Sequence, residues 1–292
     1  VEIVRTHATT LDGPGVGKYT HRKKFLDSLP NGHAIAGTAI AMDIAGTPHL
    51  THWHDQRVEN FGDILMKPDL ETLISDGTNA AVGHCISDFT TLDGEEFRLC
   101  PRTQLKRMVR LLAAHGYAMK AAFELEFYLY NESFADIKRK QFKQLGTVGA
   151  SEMPTMYLLR NAYHATPFMS EVIKRLEWQG IGWEAWNDEA GVGQIELNIN
   201  AGDPLAVCDD IVRTKQVLYE VALDMDMAVT FMAAPSVSYG SGMHAHHSLT
   251  TLEGNAAFFD SKKSNNCSDL MNRWLAGQMA NLSGSVSFLC PT

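Results

Sequence analysis

Three short segments place acids and imidazoles at every second residue. AAFELEFYLY, residues 121–130, carries Glu124 and Glu126. GQIELNIN, residues 193–200, carries Gln194, Glu196, Asn198 and Asn200, with Glu189 just upstream. GMHAHHSL, residues 242–249, carries His244, His246 and Ser248. A strand projects residues i and i+2 to the same face. If the three faces meet, they line a cavity with four carboxylates and two imidazoles.

A single acid on a strand ordinarily faces solvent. The Glu124/Glu126 pair differs, because Phe123, Leu125, Phe127 and Leu129 make the other face of the same segment a core face. Side-by-side carboxylates on a mostly buried strand repel and desolvate badly unless a cation neutralises them. Hard oxygen ligands suit magnesium or manganese. A histidine pair at i, i+2 reads, taken alone, equally as a surface pair. His247 points to the opposite face and receives no role. GPGVGK, Gly13 to Lys18, has the wrong spacing for a phosphate loop: Tyr19 follows the lysine, and Asp12 stands where the first glycine is needed. It reads as a turn.

The surrounding pattern says which elements position these residues. The first hundred residues are rich in Gly, Thr, Asp and His, with short apolar runs such as 34–42 that read as strands joined by turns. Leu105, Met108, Val109 and Leu112 have helical spacing, and Gly116 is a stop. A domain boundary is placed near residue 100. Residues 168–178 read as a helix, with Thr166-Pro167 as cap and first turn. Asp203-Pro204 opens a helix to about Asp224, with Cys208, Ile211, Val212 and Leu218 on one face. Residues 228–233 form a strand, and the last helix covers 269–282.

With 292 residues, 45% of them apolar, the chain can bury a sizeable core without staples. A net charge of −9 argues against non-specific nucleic-acid binding. No run of residues reaches membrane-span length, and the N-terminal residues lack a signal-peptide pattern. Cys85, Cys100, Cys208, Cys267 and Cys290 are odd in number and form no CxxC pair, as expected of reduced cytoplasmic thiols.

Taken together, FELEFYL at 123–129, EAGVGQIELN at 189–198 and GSGMHAHHSL at 240–249 resemble the glutamine synthetase family. DGPGVGK, GDILMKPDLETL at 62–73, DGEEFRLCPRTQLKR at 93–107 and TFMAAP at 230–235 support the resemblance over essentially the whole chain. It implies an α+β fold. A small N-terminal β-grasp-like domain, residues 1–100, precedes a catalytic domain, residues 101–292, with a curved antiparallel sheet and flanking helices. It also implies an ATP-dependent ligase that phosphorylates the γ-carboxylate of glutamate and lets ammonia displace the phosphate.

Family roles carried onto this chain give Glu126, Glu189 and Glu196 one Mg2+ or Mn2+ ion, and Glu124 and His244 a second. Glu184 and Ser248 fall on the ATP side, and His246 on the transferring phosphate. Gly240, Ser241 and Gly242 face glutamate. The resemblance implies a ring-shaped homo-oligomer with shared sites, in the cytoplasm, with no nucleic-acid or membrane partner.

Some positions depart from the family pattern. Ala234 replaces a usual lysine, Tyr239 replaces an asparagine, and Asp43 matches the family aspartate only loosely. These changes lie on the acceptor side, so a γ-glutamyl-amine or polyamine ligase is the alternative. A non-catalytic structural or regulatory member, or a guanidino kinase of related fold, ranks lower: all five metal ligands are present, and a kinase does not need GSGMHAHHSL. The chain starts at Val1 and stops directly after an apolar run. The family's later NSYKR-like stretch, phosphate-binding arginines and last metal-binding glutamate do not appear. The expectation is a catalytic domain lacking its C-terminal part and inactive by itself.

Overall fold

The computed structural model describes all residues except 12, 14, 43–45, 48–61, 151, 236–238 and 290–292. Asp43 therefore lies outside the described residues. The chain forms two compact units, Val1–His115 and the residues from Gly116 onward. The architecture is α+β.

In the first unit, β1 (Ile3–Thr9) and β2 (Gly15–His21) form a hairpin that leads into α1 (Arg22–Ser28). β3 (His33–Ala36), β4 (Asp63–Pro68), the short β5 (Ile74–Ser75) and β6 (Val82–Thr90) complete a six-stranded sheet of order β2-β1-β6-β4-β3, with β5 on β6. β1 and β6 run parallel, which makes the sheet β-grasp-like. Residues 15–18 of the GPGVGK segment lie inside β2, paired to β1, so no loop opens onto a helix N-terminus there. The apolar run from Ala34 is a strand only to Ala36, then a 3-10 turn over Gly37–Ala41.

α2 (Pro101–Ala114) groups with this unit. Buried Arg102 bonds Asp69 at 2.8 Å and Asp88 at 3.1 Å, and Lys106 bonds the same two acids at 3.1 and 2.6 Å. Those ion pairs tie the helix to the sheet, where sequence pattern alone assigned it to the following domain.

One histidine here gives a pH expectation. His33 is buried against the Phe25 ring, with its Nε2 2.9 Å from Ser28 Oγ. Burial first, then the charges of Lys18 and Lys24, lower its pKa below the ordinary 6.5. The unfolded chain therefore takes up a proton on this ring before the folded chain does. Stability from this group is complete above the unfolded value and is lost as pH falls toward the lower folded value. Amide-exchange protection of the β3–β4 strands should fall between neutral and mildly acid pH. A His33→Gln variant should flatten that dependence.

The second unit is built on β7 (Tyr117–Tyr130), fourteen residues long. α3 (Phe134–Arg139), α4 (Leu159–Trp178), β8 (Trp183–Asp188), β9 (Gln194–Gly202), α5 (Pro204–Asp224), β10 (Ala228–Thr230), β11 (Met243–Thr251) and α6 (Asp269–Leu289) follow. The sheet order is β10-β7-β9-β8, with β11 also on β7, and every pairing is antiparallel.

One sheet face is core. Leu125, Phe127 and Leu129 of β7 and Ile195, Leu197 and Ile199 of β9 pack with Phe168, Val172 and Leu176 of α4 and with Ile211, Leu218 and Val221 of α5. α5 starts where its sequence says. Asp203 accepts from the amides of Leu205 and Ala206 at 2.9 and 3.2 Å, and Pro204 fills the first turn. Cys208 is half-buried on this helix, and burial pushes its thiol up to about 11, so it behaves as a small apolar residue.

Three boundaries differ from the sequence pattern. α4 begins at Leu159, and Pro167 sits inside it. Its buried face starts only at Ala165, so the first turn and a half carry no apolar period to read. β10 stops at Thr230 rather than at residue 233. α6 runs seven residues past 282, without a buried residue in its length. His247 faces α6: its Nε2 accepts from Trp274 Nε1 at 2.6 Å, a packing role that explains its opposite orientation.

Candidate active site

The other face of the β7 sheet collects the acids. Glu124 and Glu126 project from it because their neighbours fill the core. β9 sets Glu196 directly across from Glu126, and Asn198 across from Glu124. β11 sets His244 across from Glu124, His246 across from Ala122 and Ser248 across from Lys120. Like charges directly opposed across a strand pair destabilise a sheet. This one tolerates the Glu126–Glu196 opposition at its centre.

Several of these side chains lie close together. His244 Nδ1 lies 3.0 Å from Glu124 Oε2 and 4.0 Å from Glu126 Oε1. His246 Nε2 lies 3.1 Å from Glu124 Oε1. Glu124, Glu196 and His244 each offer one ligand atom, all within 4.8 Å of one another. This trio takes members from both metal sets that the family resemblance implies. Glu189 follows β8; its Oε1 accepts from Asn187 Nδ2 at 3.2 Å, and Asn198 Nδ2 donates to Glu196 Oε1 at 3.3 Å.

Burial raises the pKa of Glu196, and the charges of Glu124, Glu189 and Glu126 add to this against the Asn198 hydrogen bond. The Glu124 hydrogen bond raises that of His244. Among the described residues no lysine or arginine pairs with any of these four carboxylates. Carboxylates without a lysine or arginine partner, two of them with an oxygen within 4.8 Å of an imidazole nitrogen, fit a hard divalent cation.

Sequence reasoning placed Gln194 on the face of Glu196 but gave it no role. It is buried, and its Nε2 donates to Glu126 Oε2 at 3.0 Å and to Gly240 O at 2.8 Å, with Ser241 Oγ at 3.3 Å. Its Oε1 accepts from Gly191 N at 3.0 Å. The amide of Gly242 donates to the same Glu126 oxygen at 2.9 Å. One side chain thus ties the three motifs together. Two glycines of EAGVG are set by this crowding. A Cβ on Gly191 would stand 2.0 Å from Tyr128 Oη, and Gly193 has a φ of +80° with Thr147 Cβ 2.5 Å from where its Cβ would be.

Tyr157 was missed. Its φ of 61° is left-handed, and its N–H donates to Asp188 O at 3.3 Å. The charges of Glu189 first, then Glu196, raise the pKa of its phenol, with burial and Glu124 adding less. Glu184 stands apart. It sits at a register shift on the edge strand β8, exposed, and makes no hydrogen bond or ion pair among the described residues. Ser248 is exposed at the far end of the β11 face.

Residues 98–292 match the family model of the glutamine synthetase catalytic domain. The chain belongs to the glutamine synthetase family. It is 32% identical over 286 residues to a glutamate–isopropylamine ligase of Pseudomonas sp., covering 96% of this chain and 61% of that protein. It is 26% identical to type-1 glutamine synthetase 2 of Dictyostelium discoideum, covering 99% and 56%. The GmaS/ADP complex shares its fold, with a TM-score of 0.85 at 24% identity, over 100% of this chain and 63% of that one. The chain thus spans less than two thirds of the length of these relatives. No helix among the described residues is long and apolar enough to cross a membrane.

Proposed function

We propose that this family member is an ATP-dependent ligase that forms an amide at the γ-carboxylate of glutamate through a γ-glutamyl phosphate, with a small amine as acceptor. The observation that carries the reading is the trio Glu124, Glu196 and His244, whose ligand atoms lie within 4.8 Å of one another, with Glu126 on the same sheet face and Glu189 just after β8. Those residues would hold Mg2+ or Mn2+. When bound, such cations neutralise the carboxylate and the polyphosphate, two anions that otherwise repel.

The chain's own groups supply the rest. Gln194 and the Gly242 amide fix the Glu126 carboxylate, so its orientation costs nothing at the moment of reaction. His246, its Nε2 held 3.1 Å from Glu124 Oε1, is assigned to the side of the transferring phosphate. Glu184 and Ser248 are assigned to the nucleotide side, and the backbone from Gly240 to Gly242 to glutamate. A ring-shaped homo-oligomer is part of the proposal, on family grounds alone.

The Pseudomonas relative and the changes at Ala234 and Tyr239 favour an amine over ammonia. Ammonia is the second reading, favoured by the Dictyostelium relative. The test uses protein expressed over its whole reading frame, with glutamate, ATP and Mg2+. Phosphate release and γ-glutamyl product are followed by mass spectrometry with ammonia or with isopropylamine. Phosphate release without any amide product sinks the proposal. Amide from ammonia alone moves the assignment to the second reading.

A further inference from the structure

β7 carries one more polar group on the face of its acids. After Glu124 and Glu126 comes Tyr128, directly across from Gln194 on β9. It is 3% exposed and belongs to a small buried cluster with Tyr130, Ile137 and Ala228. Its Oη donates to the main-chain oxygen of Tyr239 at 2.9 Å. On the other side the hydroxyl lies against Gly191, where a Cβ would stand 2.0 Å from it. The hydroxyl therefore sits between the EAGVG and GSGMH segments.

Residues 239–242 are pinned one by one. Tyr239 O accepts from Tyr128, and Gly240 O accepts from Gln194 Nε2 at 2.8 Å. Ser241 N donates to Ala233 O at 2.8 Å, and Gly242 N to Glu126 Oε2 at 2.9 Å. Backbone with two glycines in four residues has little of its own to fix it, so these bonds set its path. Among the described residues, Gly240 N–H and Ser241 C=O make no hydrogen bond. The segment thus keeps one donor and one acceptor open to a ligand, and their aim follows its path.

We propose that Tyr128 is a positioning residue for glutamate: by holding the Tyr239 carbonyl, its hydroxyl sets the path of Gly240–Gly242 and with it the affinity for that substrate. This rests on the ligase reading above, which assigns the segment to glutamate. The bond goes to main chain, so it is indifferent to which side chain stands at position 239. Packing alone does not call for the hydroxyl, because a phenylalanine ring would fill the same cluster. A buried hydroxyl is a cost unless it is bonded, and here the bond goes to the substrate segment. The Glu126 carboxylate has its own two donors, Gln194 Nε2 and Gly242 N. Loss of the hydroxyl is therefore felt at the start of the segment rather than at the metal ligands.

The test compares Tyr128→Phe and Tyr128→Leu with the wild type, each expressed over the whole reading frame, by γ-glutamyl amide formation with ammonia or isopropylamine. In Tyr128→Phe the KM for glutamate should rise about fivefold, the worth of one net hydrogen bond. Its kcat at saturating glutamate, its KM for ATP and its melting temperature should stay near the wild type's. Tyr128→Leu loses the ring as well and should also melt lower. Phenylalanine thus restores stability but not glutamate affinity, a split that a packing role does not produce. A glutamate KM within twofold of the wild type's in Tyr128→Phe, or an equal rise in the KM for ATP, overturns the positioning role and leaves the ligase reading standing. No amide from the wild type with either acceptor overturns the ligase reading, and the role of Tyr128 with it.

Discussion

Glu126→Gln should reduce turnover of the proposed ligase about 10²- to 10³-fold, the usual loss when one preorganised electrostatic group is removed. The substitution separates charge from shape. In the native chain Glu126 Oε2 accepts from Gln194 Nε2 and from Gly242 N. A glutamine carbonyl oxygen keeps both bonds, so β7, β9 and the Gly240–Gly242 segment stay in register. What disappears is the negative charge between Glu124 and Glu196. Mn2+ affinity measured by calorimetry should fall at least tenfold.

Stability without metal should move the other way. The carboxylates of Glu126 and Glu196 face each other across the strand pair, with Glu124 beside them. Removing one charge relieves that repulsion. The metal-free variant should therefore melt at the same temperature or higher, while Mn2+ should raise its melting point less than it raises the wild type's. Parallel loss of stability and affinity would mean that Glu126 is a packing residue. Undiminished Mn2+ affinity would remove it from the metal set.

The chemistry was legible in the sequence where side-chain period and strand geometry coincide. Glu124 and Glu126 stand out because Phe123, Leu125 and Phe127 declare the opposite face as core. His244 and His246 stand out by the same two-residue period. Their mutual register was not legible. It arises because β7 is long enough to pair with both β10 and β11 along one edge and β9 along the other, and no local pattern encodes a neighbour more than a hundred residues away.

Gln194 was placed on the acid face but given no role, because a neutral amide at an alternating position carries no charge that asks for a partner. Its value lies in four partners that only the folded sheet assembles. Tyr157 escaped for a backbone reason. A left-handed non-glycine residue has no sequence signal. The first turns of α4 escaped because they bury nothing, and burial is what writes helical period into a sequence. Gln194 serves the acid cluster, where local rules are expected to yield to function.

The same strand that presents Glu126 to the site buries Phe127 behind it, and this coupling gives the second large expectation. Phe127 is fully buried, with the Phe168 ring at 6.5 Å and the Phe231 ring at 5.9 Å between centroids. Truncating it to alanine removes the ring's transfer energy and leaves a cavity between β7, α4 and residue 231. Phe→Ala changes at such positions cost about 3–5 kcal/mol. That is a large fraction of the usual stability of a domain.

Phe127→Leu keeps most of the volume and should cost less than half as much. Urea unfolding followed by tryptophan fluorescence measures both, with Trp183 and Trp186 packed against the same core. At low temperature, where Phe127→Ala remains folded, β7 has lost the packing that fixes its height above the helices. The carboxylates on its other face then lose their fixed spacing. Mn2+ affinity should fall in the alanine variant although every ligand is still present, and should recover most of the way in the leucine variant. Unchanged affinity in folded Phe127→Ala would show instead that Gln194 and the Gly242 amide alone fix the site, with the core behind it contributing stability only.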